Sequence, residues 1–115
     1  MKVNILGTPY KIDFRTNTQD SKLKLCDGYC DYSIKQIVCL KRTDKDKTEL
    51  DLQNLKTIER RLLRHEIIHA FIYESCLWTD SFNTQSWAMN EEMTDWIALQ
   101  FPKIYKVYKQ LNILD

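Results

Sequence analysis

The chain has 115 residues, enough for one domain with one hydrophobic core. Apolar residues make up 43% and charged residues 29%, the balance of a folded globular protein and not of a disordered tail. Lys and Arg total 17 against 16 Asp and Glu, a net charge of +1, which weighs against a surface built for phosphate contacts, so nucleic acid is not the expected partner.

Two Gly and two Pro are too few for a turn-rich barrel. No run reaches the roughly 18–20 apolar residues that span a bilayer, so no membrane partner is expected. Met1 to Pro9 has one Lys and no sustained apolar stretch, which does not read as a signal peptide. These features predict a cytoplasmic protein. In that compartment Cys26, Cys30, Cys39 and Cys76 are expected as reduced thiols, since their spacing matches no common zinc ribbon or finger.

In chain order, residues 3–6 and 10–14 read as two short strands around Gly7-Thr8-Pro9. Tyr10, Ile12 and Phe14 alternate with Lys11 and Asp13, the pattern of a half-buried strand. Residues 15–21 are polar and read as a loop. Leu23 and Leu25 alternate with lysines, and Asp27-Gly28 marks a turn. The Tyr29–Tyr32 stretch is expected to pair with what precedes it. Gln36 to Leu40 is a β-prone run, expected as an inner or substrate-facing strand. Residues 41–47 form a charged connector.

From about Thr48 the period changes. Leu52, Leu55, Ile58, Leu62, His65, His69, Ile72 and Cys76 follow three-and-four spacing, one stripe of a long amphipathic helix with Thr48 and Asp51 near its start. Leu63, Ile67, Ala70 and Phe71 add a second apolar face. Residues 75–86 read as a surface loop. A second helix follows over 87–101, and Pro102 is expected to stop it and open a third. Strands first and helices after predict one α+β domain over residues 1–115: a small antiparallel or mixed sheet packed on the long helix, then two further helices.

His65-Glu66-Ile67-Ile68-His69 is HExxH, and it uses both histidines of the chain. On a helix, i and i+4 lie on one face, so both imidazoles can reach one metal ion. The Glu beside the first His can contact a water on that ion. The pattern is the one that metal-assisted hydrolysis needs, and it predicts Zn²⁺ as cofactor and Glu66 as general base.

A hydrolytic zinc needs a third protein ligand and an open position. Cys76 lies about 10 Å further along the helix than His69, at roughly 1.5 Å per residue, and is out of reach. Glu91 on the second helix is the leading candidate, with Glu92 and Asp80 as alternatives. Asp95, one turn after Glu91, suits a carboxylate that accepts the Nδ1–H of a ligand histidine, His65 first. Tyr73, Tyr105, Tyr108 and Arg64 are candidates for a transition-state hydrogen-bond donor. Trp78, Trp87 and Trp96 are expected to pack in the core more than to line a cleft.

HExxH followed on a later helix by Asn90-Glu91-x-x-Thr94-Asp95 resembles the thermolysin-like gluzincins, with Thr in place of Ser. The size, the N-terminal strands and the phrases His-Glu-Ile-Ile-His-Ala-Phe (65–71) and Asp-Trp-Ile-Ala-Leu-Gln (95–100) are similar to compact phage and mobile-element zincins related to the ImmA/IrrE-type and SprT-like metallopeptidases. The resemblance implies a minimal zincin fold and a sheet edge that binds an extended peptide. It also implies zinc-dependent hydrolysis of a protein or peptide substrate, such as a regulatory protein of a mobile element. A second function class is a catalytically silent zincin-like module with structural zinc. A third, a nucleic-acid-binding domain using Arg60, Arg61, Arg64 and the 41–47 lysines, is disfavoured by the charge balance.

Overall fold

The computed structural model describes residues 1–42, 54–77 and 91–115, without the side chains of Glu91, Glu92, Thr94, Asp95 and Ala98. Strands β1 (Lys2–Ile5) and β2 (Thr8–Arg15) form an antiparallel hairpin. Its turn is Leu6-Gly7, with φ of 50° and 95°, the left-handed pair that a type I′ turn requires. The turn is therefore tighter than the Gly7-Thr8-Pro9 reading, and Thr8 and Pro9 already belong to β2. Asp20 then caps a short 3₁₀ turn, Ser21–Lys24, that buries Leu23 and leaves Leu25 in solvent.

Strands β3 (Gly28–Asp31) and β4 (Gln36–Leu40) pair antiparallel, and β4 runs parallel to β2. The sheet order is β1-β2-β4-β3. Tyr29 to Asp31 therefore pair with the strand that follows them, not with what precedes them. The turn between, where the Asp31 side chain accepts the Ser33 N–H and Lys35 takes a φ of 56°, is short enough to bring β4 straight back. Strand β4 is an inner strand, as its run of Ile37, Val38 and Cys39 predicts, and all three are fully buried. It is not substrate-facing in the sense of adding a peptide strand, because both its edges are already paired. Among the described residues, the edge on this side of the sheet is β3.

Alternation gives the sheet one helix-facing surface. Val3 and Ile5 of β1, Tyr10 and Ile12 of β2 and Ile37 and Cys39 of β4 join the core there, with Phe14 and Cys30 packed against it. By register Cys30 sits beside Ile37 and Gly28 beside Cys39, so the row ends on a residue with no side chain.

Helix α1 (Leu55–Glu74) packs on this surface. Asn54, whose side chain accepts the Thr57 N–H at 3.1 Å, caps it. The helix carrying HExxH thus starts at Leu55 and not near Thr48; Thr48, Asp51 and Leu52 lie outside the described residues. Its buried positions are Leu63, Glu66, Ile67, Ala70 and Phe71. The face read as secondary is the core face, and the stripe through Leu62, His65, His69 and Ile72 looks out beside it.

Helix α2 (Glu91–Gln110) buries Ile104 and Val107, and Ile113 beyond its end is buried too. It runs through Pro102 without the expected break. Pro102 is exposed, so its ring and missing N–H fall on the solvent side. The cost of an interior proline, about 3 kcal/mol, is offset by the apolar contacts that continue past it. Trp96 packs against the core and its Nε1–H donates to Ser75 Oγ at 2.7 Å; Trp78 and Trp87 lie outside the described residues. The architecture is α+β, a four-stranded mixed sheet with two long helices among the described residues. No helix among them is long and apolar enough to cross a membrane.

Candidate metal centre

Three turns of α1 build the site. His65 and His69 are exposed on its outer stripe, and Glu66, one residue round, points into the sheet and is 4% exposed. The Nε2 atoms of the two imidazoles converge to 3.0 Å with the rings at 77° to one another. Two nitrogens on one tetrahedral zinc, each about 2.0–2.1 Å from it, stand roughly 3.4 Å apart. The pair is thus within a few tenths of an ångström of what a shared ion needs, and the helix provides this without any unusual backbone. Partial desolvation against the cavity wall, with the neighbouring His65 second, lowers the pKa of His69, a direction that favours the neutral ring.

Glu66 fills the place that Gly28 leaves open. A Cβ at position 28 would stand 3.0 Å from Glu66 Oε1, 3.0 Å from Leu62 Cδ1 and 3.1 Å from the Val38 carbonyl oxygen. The carboxyl is thus held under β3, and burial pushes its pKa up to about 7. Burial first, with the Glu66 charge next, pushes Cys30 and Cys39 up to about 12, so both stay neutral thiols. Cys39 is buried, Cys30 half-buried, and Cys26 and Cys76 exposed.

Over the histidines lies a cavity of about 410 Å³. Its floor is His65, Glu66, His69 and Tyr73 of α1; its wall is Gly28, Tyr29 and Cys30 of β3, continued by Tyr32. A second hollow of about 470 Å³ shares Cys26, Tyr29, Cys30 and Tyr32 and extends to Lys22 and Leu25, so an open trough follows the outer edge of β3. Leu40 N–H donates to Asp27 O at 2.8 Å, which makes Asp27 and Leu40 a hydrogen-bonded pair. Such pairs alternate along an antiparallel ladder, so Gly28 and Cys30 turn their backbone N–H and C=O groups away from β4, toward the trough.

The structure brings His65, Glu66 and His69 together. Glu91 and Asp95 are placed on the first turns of α2, but their side chains, like that of Glu92, lie outside the described residues, as does Asp80. Among the described residues no three His, Cys, Asp or Glu form a cluster that could hold a metal, so Cys26 and Cys30 do not complete a set with the histidines.

Of the candidate donors, only Tyr73 lines the cavity. Tyr108 gives its hydroxyl to Arg64 O at 3.0 Å, Arg64 grips the Ile113 and Asp115 carbonyls, and Tyr105 sits exposed on α2. Arg64 is engaged by the C-terminal segment folded back along α1, Tyr108 by the α1 backbone, and Tyr105 does not line the cavity.

Sequence reasoning missed Gly28, Tyr29 and Tyr32. The signal was there in part: Gly28 is one of only two glycines, and the tyrosines flank Cys30 at close spacing. Their pairing with β4, which brings them over the helix, is tertiary. Comparisons with protein-family models, curated proteins and solved structures find no match to this chain.

Proposed function

We propose that the chain is a small zinc-dependent peptide hydrolase, with His65 and His69 as ligands, Glu91 of α2 as the third, and Asp95 orienting His65. The observation that supports this best is the 3.0 Å convergence of two Nε2 atoms beside a buried carboxylate, under a strand that is the sheet edge among the described residues. A bound zinc supplies acidification of water and polarisation of a carbonyl group. The chain's own residues do the rest.

Gly28 and Cys30 offer backbone donors and acceptors to an extended peptide, which adds as a fifth strand beside β3. This replaces the expectation that β4 takes the peptide. Glu66 accepts one proton from the attacking water as its oxygen bonds to the peptide carbon. The C–N bond then breaks, and the same proton passes to the leaving amine. Glu66 is 4% exposed, so its carboxyl sits largely out of solvent.

Glu66→Gln is the direct test. The variant is expected to fold and to bind zinc as the wild type does, with cleavage of a mixed-sequence peptide library reduced by about 10²–10⁴-fold. Equal turnover by both proteins removes Glu66 from the chemistry. A zinc-loaded wild type that cleaves nothing favours the silent zinc module instead.

A further inference from the structure

We infer that Tyr73 is a catalytic residue, the hydrogen-bond donor to the carbonyl oxygen of the peptide under attack; this rests on the hydrolase reading above. Tyr73 follows His69 by one helical turn and lines the same cavity as His65, Glu66 and His69. Helical side chains lean toward the N-terminus, so its ring leans over the turn that bears His69.

The ring is held from two sides. It stacks on Tyr32 with centroids 4.1 Å apart and planes within 14°. The Lys35 ammonium lies 4.8 Å from its centroid. Lys35 is itself fixed by a 2.7 Å ion pair to Glu74, the next residue on α1. A donor acts on developing charge only if it is already in place, because reorientation during reaction consumes the gain. This clamp meets that condition with two residues of the short β3–β4 turn, Tyr32 and Lys35, the latter anchored to α1 through Glu74.

Tyr29, which also lines the cavity, is differently employed. Tyr29 donates to Asp20 Oδ2 at 2.6 Å and carries Lys22 over its ring, so it serves as wall. Tyr32 is the outer plate of the stack and is 41% exposed. No described residue accepts a hydrogen bond from the Tyr73 hydroxyl. In the reaction Tyr73 keeps its proton throughout: it donates a hydrogen bond to the oxygen that gains charge, while the proton transferred to nitrogen comes from water by way of Glu66.

The test compares wild type, Tyr73→Phe, Tyr73→His and Tyr108→Phe, each loaded with zinc. It measures peptide-library kinetics, calorimetric affinity for a phosphinic pseudopeptide with Phe on both sides of the phosphinate, zinc content and urea midpoint. Tyr73→Phe keeps the ring that stacks on Tyr32. It is expected to retain zinc and the wild-type midpoint, to lose about 10²–10³-fold in kcat with KM within about twofold, and to bind the phosphinate correspondingly more weakly. Tyr73→His restores a donor and is expected to recover part of that loss, which a merely structural ring would not give. Tyr108→Phe is expected to leave kcat unchanged.

Unchanged kcat and phosphinate affinity in Tyr73→Phe overturn the assignment and leave the hydrolase reading standing. A zinc-loaded wild type that neither cleaves peptides nor binds the phosphinate overturns both.

Discussion

Gly28 sets how deep Glu66 can sit. The nearest atoms to a Cβ there are two side-chain ends and one backbone oxygen, and only the side chains can yield. Gly28→Ala is expected to cost about 1–3 kcal/mol in urea unfolding, the range for an overpacked site. Because Glu66 Oε1 is one of the atoms displaced, turnover should fall further than the lost folded fraction explains. A variant with lowered stability and full specific activity would show that Leu62 alone adjusts.

The motif residues themselves were legible from spacing alone: two imidazoles four apart on a helix converge wherever that helix lies. Gly28 was read as part of an Asp27-Gly28 turn, since that dipeptide is a turn signal in a chain read locally. Its true role depends on Cys39 beside it and Glu66 beneath it, neither of which its neighbours in sequence encode.

The end of α1 is tied to the sheet by one carboxylate. Glu74 accepts from Thr8 Oγ1 at 3.0 Å, from Tyr10 OH at 2.7 Å and from Lys35 Nζ at 2.7 Å. A glutamate in the last helical turn opposes the helix dipole, so these bonds must outweigh that as well. Burial works to raise the Glu74 pKa, but the hydrogen bonds from Lys35, Tyr10 and Thr8 outweigh it and hold the group below its ordinary value of 4.5.

The sign follows from that direction. With the folded pKa below the unfolded one, the stabilisation is present above about pH 4.5 and is lost as pH falls through the folded value. Glu74→Gln should therefore cost about 1–3 kcal/mol at pH 7, the range for losing hydrogen bonds to a charged, half-buried group. The gap between variant and wild type should narrow in urea titrations near pH 3. A gap that does not change with pH would contradict the network's charge. Element types were legible from periodicity, whereas the run of α2 through Pro102 was not, because local chemistry says stop while the burial of Ile104 and Val107 says continue.

For the molecule as a whole, the order β1-β2-β4-β3 decides which strand meets substrate. A β-prone run marks a strand but not its place in the sheet, so Gln36–Leu40 could be read as inner yet not as closed to a peptide. Among the described residues the pairing leaves β3 with one edge unpaired above the histidines. Cys30→Pro deletes a backbone N–H that β4 does not use, a substitution that edge strands tolerate. It is expected to raise KM about tenfold, equivalent to one hydrogen bond of about 1.4 kcal/mol, with zinc retained. An unchanged KM would place the peptide elsewhere.

The expectations for turnover depend on one cation held between His65 and His69. Elemental analysis of the protein purified without chelator and dialysed against zinc, read beside X-ray absorption at the zinc edge, addresses it. One zinc per chain with two imidazole nitrogens in its shell, kept in Glu66→Gln and lost in His69→Ala, is the expected result. A wild-type protein that holds no divalent ion, or holds it equally well in His69→Ala, would contradict it.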